Sequence, residues 1–156
     1  MLNRHNLIMS KINIFWCFAL LSVSMAAKAP YPLLRGKIVV QIEGIRESTG
    51  EIGVLLFDRA TGFPGDSGAS IRHQVLPARS GRLALNFDDL PFGTYAVAVI
   101  HDLNGNRRVD TNLLGIPREG YGFSNNARSL FRAPRFQEAA FIHKGPGAIV
   151  RVEMIY

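Results

Sequence analysis

Apolar residues in this chain recur at every second position over short stretches, and no long stretch places them at helical spacing. Alternate side chains of an extended strand point to the same side, so this pattern is that of half-buried strands. In residues 37–43, Ile38, Val40 and Ile42 share one face, with Lys37, Gln41 and Glu43 opposite. Residues 51–57 (EIGVLLF) are apolar on both faces, which predicts a central strand covered on both sides. Residues 71–76 group Ile71, His73 and Val75. Residues 82–87 direct Leu83, Leu85 and Phe87 inward, and residues 94–100 group Tyr95, Val97 and Val99. Residues 139–143 form a short further strand. Residues 149–155 turn Val150, Val152 and Met154 inward and Arg151 and Glu153 outward.

Turn-forming residues separate these stretches: Ser48-Thr49-Gly50, the Gly- and Pro-rich segment 58–68, Ser80-Gly81, Pro91-Phe92-Gly93 and Gly145-Pro146-Gly147. About seven short strands so punctuated predict an all-β fold, an antiparallel β-sandwich, with a closed barrel as the alternative. One region departs from the pattern. Residues 101–137 show no clear strand, and so long an ordered loop in a compact domain is usually functional. A short helix is expected near 126–131, capped by Ser124 or Asn125.

The N-terminus has a different character. Arg4 and Lys11 precede an apolar-rich run at 12–23, followed by small residues at 24–27. That order is the pattern of a secretory signal peptide, and the run is shorter than the roughly 20 residues of a membrane span. The expected division is a signal peptide at 1–27, a short linker at 28–36 and one domain at 37–156, with no membrane span after cleavage. The expected location is the periplasm or the exterior. Cleavage would remove Cys17, the only cysteine, so no disulfide is expected in the mature chain. It would also remove Arg4 and Lys11, lowering the net charge from +6 to +4. The remaining basic residues are scattered, without the Lys/Arg run of a nucleic-acid arm, so no nucleic-acid partner is expected.

Within the long loop, Asp102, Asn104, Asn106 and Asp110 fall at positions 1, 3, 5 and 9 of a calcium-type loop, and the carbonyl of Arg108 falls at position 7. Alternate oxygen-bearing side chains, wrapped by turns, converge on a hard cation such as Ca²⁺. Two positions depart from an EF-hand: Arg107 stands where the sharp turn prefers Gly, and Leu113 where a bidentate Glu belongs. The other reading is an Asx-turn loop whose Asp and Asn side chains bond their own backbone. The sequence leaves both open.

Farther along, Tyr121, Phe123, Phe131 and Phe136 interleave with Arg128, Arg132 and Arg135. Stacking faces beside guanidinium forks suit an anionic ligand, with Tyr121, Phe123, Arg128 and Arg132 as its contacts. The alternative is that the aromatics plug an open end of the sandwich under solvated arginines.

The segment 90–97 (LPFGTYAV) is similar to a turn-plus-strand of secreted transthyretin-like and immunoglobulin-like modules. Together with 101–106 (HDLNGN), 110–112 (DTN), 114–117 (LGIP), 119–127 (EGYGFSNNA) and 62–64 (GFP), the chain resembles the bacterial family called domain of unknown function 2141 (DUF2141) from about residue 37 to residue 156. The resemblance implies an exported β-sandwich protein and implies no reaction. The family usually has Gly where this chain has Arg107.

Signatures of catalysis are poor. The chain has no Gly-x-Ser-x-Gly elbow, no His-Glu-x-x-His and no phosphate-binding glycine loop. The expectation is a non-enzymatic exported module that binds an extracytoplasmic ligand or protein or serves a structural role, with Ca²⁺ as the candidate ion. The alternative is a periplasmic hydrolase using His101 and carboxylates of 101–137.

Overall fold

The computed structural model describes residues 34–106, 118–129 and 132–156. The expected signal peptide, most of the expected linker, Arg108, Asp110 and Phe131 lie outside them. The strands are β1 (Arg35–Ile45), β2 (Glu51–Phe57), β3 (Arg72–Pro77), β4 (Gly81–Pro91), β5 (Gly93–Asp102), β6 (Gly120–Phe123), β7 (Phe141–His143) and β8 (Gly147–Glu153). One helical turn, α1, covers Phe136–Ala139. No helix among the described residues is long and apolar enough to cross a membrane.

The strands form two sheets, in the orders β4-β1-β8 and β3-β2-β5-β6, with β7 also paired to β5. This is an all-β sandwich. Its core is the product of the alternation: Ile38, Val40 and Ile42 of β1 are fully buried and face Ile52, Val54, Val97 and Val99 of the other sheet. Each such side chain contributes about 1.5–3 kcal/mol relative to exposure. Pairing is antiparallel with one exception, β1 with β8, which run parallel from Lys37↔Gly147 to Glu43↔Glu153. The turn at 144–146 carries the chain from β7 in one sheet to β8 in the other, so β8 does not return as a hairpin mate.

The tight turn before β5 is pinned by Tyr95, whose hydroxyl donates to the carbonyl of Pro91 at 2.7 Å. Immunoglobulin-type sandwiches use a tyrosine in the same way at a strand start.

Four sequence expectations change. β6 is a strand inside the region expected to be loop. Its sequence, GYGF, hides the alternation because its inward positions are glycines: a Cβ on Gly120 would lie 2.5 Å from the ring of Tyr156, and one on Gly122 2.6 Å from Val152 Cγ1. The inward face of β3 is that of Gln74 and Leu76, which pair with the core residues Val54 and Ile52, while Val75 is 50% exposed opposite Gly53. The helix expected near 126–131 is instead a 3-10 turn at Ser124–Asn126, with Asn125 and Asn126 at positive φ, and the α-helical turn comes later, at Phe136–Ala139. Finally, the aromatics do not plug an open end. Phe123 and Phe136 join Phe63, Leu55 and Phe57 in a second apolar layer on the outer face of the β2–β5 sheet. Phe63 stands edge-on to Phe57 (5.3 Å between centroids) and to Phe136 (5.9 Å). That layer is the reason both faces of residues 51–57 are apolar.

Candidate functional site

The passage from β5 to β7 begins where β5 ends. Asp102 is its last residue and is 6% exposed. Its Oδ1 accepts from the backbone N–H of Gly105 (2.8 Å) and of Asn106 (3.2 Å), and Asn104 Oδ1 accepts from the same Asn106 N–H at 3.0 Å. Gly105 turns the chain at φ +72°. Just before β6, buried Glu119 reaches back, and its Oε1 accepts from Leu103 N–H at 3.0 Å. Two buried carboxylates thus take up backbone donors that the end of the strand would leave unpaired.

Of the five residues expected around a cation, Asp102, Asn104 and Asn106 lie together in this turn; Arg108 and Asp110 lie outside the described residues. Among the described residues no three His, Cys, Asp or Glu side chains are grouped as a metal site would require.

His101 precedes Asp102 and points to the opposite side of the strand, into the core. It is fully buried. Its Nε2 lies 2.8 Å from the carbonyl of Thr49, and its Nδ1 lies 2.7 Å from the hydroxyl of Tyr156. A carbonyl only accepts, so Nε2 carries the proton and Nδ1 accepts from the tyrosine. The same hydroxyl accepts from Arg46 N–H at 3.1 Å, and the Arg46 guanidinium stacks 4.6 Å above the tyrosine ring.

His143 lies far from it. It pairs with Gly93 at the start of β5, whereas His101 pairs with Gly120 near the end. Eight residues of extended chain separate the two positions, roughly 26 Å. His143 is fully buried between Phe92 (5.2 Å) and Tyr95 (6.1 Å), and among the described residues neither ring nitrogen has a hydrogen-bond partner. His73 is exposed on β3.

The residues expected around an anion have partners within the chain. Phe123 is 8% exposed, its ring spent in the outer apolar layer beside half-buried Tyr121. Arg128 pairs with Glu153 at 2.9 Å and Arg132 with Glu138 at 2.7 Å. The Glu138 carboxylate also accepts from Arg135 N–H, and the Arg132 guanidinium first, then that N–H, hold its pKa down at about 2.

One anchor of this region is not evident from spacing. Ser124 is fully buried; its Oγ accepts from Val97 N–H (2.9 Å) and donates to the Ala139 carbonyl (2.6 Å). It ties α1 to the middle of β5. The only hint in the sequence is a serine placed between an aromatic and two asparagines.

The chain matches, over residues 40–150, the model of a family described as an uncharacterised protein conserved in bacteria. It belongs to the DUF2141 family. The match spans both sheets and the whole β5-to-β7 passage, so the turn at Asp102 and the Gly-aromatic strand β6 lie within the family's own extent. No curated protein and no solved structure matches the chain.

Proposed function

We propose that this DUF2141 member is an exported, non-enzymatic module, whose β5-to-β7 passage serves binding or structure outside the cytoplasm. The observation that carries the reading is the use of the two buried carboxylates. Asp102 and Glu119 both hold backbone N–H groups at the start of the passage, those of Leu103, Gly105 and Asn106, which is the work of a structural turn. Both nitrogens of His101 are likewise engaged, by Thr49 and Tyr156, which supports a packing role for this histidine over that of a base. Export follows from the N-terminal pattern of a basic start, a short apolar run and small residues.

Calcium enters as a ligand of the Asp102–Asn104–Asn106 turn, completed by the Arg108 carbonyl and Asp110. With few formal negative charges, its affinity belongs to the weak range of extracellular modules, about 10⁻⁴–10⁻³ M. The test is thermal melting of the wild type and Asp102→Ala with millimolar Ca²⁺ or with a chelator. Asp102→Ala is expected to melt lower under both conditions because the turn loses its acceptor. A calcium-dependent rise confined to the wild type supports the ion, and identical wild-type curves sink it. Ester or amide turnover that vanishes in a folded His101→Leu variant would overturn the non-enzymatic reading.

A further inference from the structure

The two sheets close on each other along only half of one edge. Where they close, Tyr121 and Ile155 exchange two backbone hydrogen bonds, at 2.9 and 2.8 Å, joining β6 to the chain just beyond β8. Toward the start of β8 they separate. β7 follows β5, β8 follows β1, and a groove of about 470 Å³ opens between them. Its walls include Phe141, Ile142, Ile149, Val150 and Arg151, and Asn126 stands at its end.

The backbone of β8 is half used. Pro146 O accepts from Lys37 N–H, and Met154 N–H donates to Glu43 O, so the even-numbered residues turn their polar groups toward β1. The register between β1 and β8 runs without a shift from Gly147 to Glu153. Odd-numbered residues therefore face away from β1. Glu153 N–H finds the Asn126 side chain at 3.0 Å, and Ile155 finds Tyr121. Among the described residues the N–H and C=O of Ile149 and Arg151 have no such partner, four groups facing the groove on an edge that carries no proline and no bulge.

The flanking side chains point the same way. Ile142 is 69% exposed and Ile149 64%, two of the four large apolar residues standing out from the described surface. The neighbouring cations Arg82 and Arg128 are neutralised by Glu43 and Glu153, whereas exposed Arg151 has no ion pair among the described residues.

We propose that this groove binds an extended peptide that adds a strand to β8, with an apolar side chain against Ile142 and Ile149 and a carboxylate on Arg151. The proposal rests on the module reading and names its partner class. Backbone pairing supplies the affinity of such strand addition, and alternate side chains supply its selectivity. The basic surplus, +4 once the expected signal peptide with Arg4 and Lys11 is removed from the chain's +6, favours the same acidic partner.

The experiment is an amide chemical-shift titration of the full chain with three synthetic peptides: Ac-Val-Glu-Val-Glu-Val-NH₂, its lysine counterpart, and the glutamate peptide N-methylated at alternate residues. Shifts are expected at Ile149 and Arg151, with the glutamate peptide bound about fivefold tighter than the lysine one and the methylated one not at all. Arg151→Glu should reverse the charge preference while leaving the remaining spectrum in place. Ile149 and Arg151 amides that stay fixed at millimolar glutamate peptide would overturn the proposal. So would sedimentation showing that a second copy of the chain already occupies this edge. Cleavage of the peptide would support the strand site and overturn the non-enzymatic reading, so the two fail separately.

Discussion

The hydroxyl of Tyr156 lies 2.7 Å from Nδ1 of His101, and the pair closes the inside of the sandwich where β5 ends. Fifty-five residues separate them in the chain. The contact holds a buried imidazole in one tautomer and seats the Tyr156 ring against Gly120, where any side chain would collide with it. Tyr156→Phe keeps the ring and removes the hydroxyl. His101 Nδ1 and Arg46 N–H then lose their partner, and a loss of about 1–3 kcal/mol is expected in chemical denaturation. An unchanged midpoint would show that water replaces the hydroxyl at no penalty.

Ser124→Ala should be comparably damaging despite the small change in volume. The serine is fully buried, and both the Val97 N–H and the Ala139 carbonyl depend on it. Two polar backbone groups left without a partner predict a loss of about 1–3 kcal/mol. Amide exchange should quicken at Val97 and around α1 before it quickens in β1, because the link between those elements is what is cut.

His143 predicts the opposite sign. Its nitrogens are buried against Phe92 and Tyr95 without a hydrogen bond among the described residues, so an apolar side chain of similar size removes an uncompensated desolvation. His143→Leu is expected to hold or raise the melting temperature, by up to about 1 kcal/mol of stability. A fall of that size or more would reveal that the imidazole has a partner in solution.

Glu138 makes the fold acid-sensitive in a defined window. Its pKa falls from the ordinary 4.5 to about 2 in the folded chain, first through the Arg132 guanidinium and then through Arg135 N–H. A carboxyl whose folded pKa is depressed adds stability that is complete above its unfolded pKa and disappears as pH falls toward the folded one. The wild-type melting temperature should therefore decline between pH 4.5 and about 2 more steeply than that of Glu138→Gln. Parallel curves for the two proteins would contradict this. The group is exposed, so the difference should shrink in high salt.

The strands with one apolar face were legible because their signal is local. In β1, β4 and β8 the side of the chain a residue occupies follows from its parity, and Ile38, Leu85 and Val152 are inside as that parity requires. β3 misled because at this edge strand the more apolar parity, that of Val75, is the outward one. β6 stayed hidden because its inward positions are filled by side chains from elsewhere, Tyr156 and Val152, and a glycine gives no sign of what will lie upon it.

What the sequence by itself determined is the all-β character, the residues of the main core and the turn at Asp102, all set by neighbours within a few positions of one another. Only the tertiary structure decided the parallel approach of β8 to β1, the second apolar layer under Phe63, the distance between His101 and His143, and the open edge at Ile149 and Arg151. These depend on which distant segments meet. Periodicity fixes the face of a strand but carries no information about its partner.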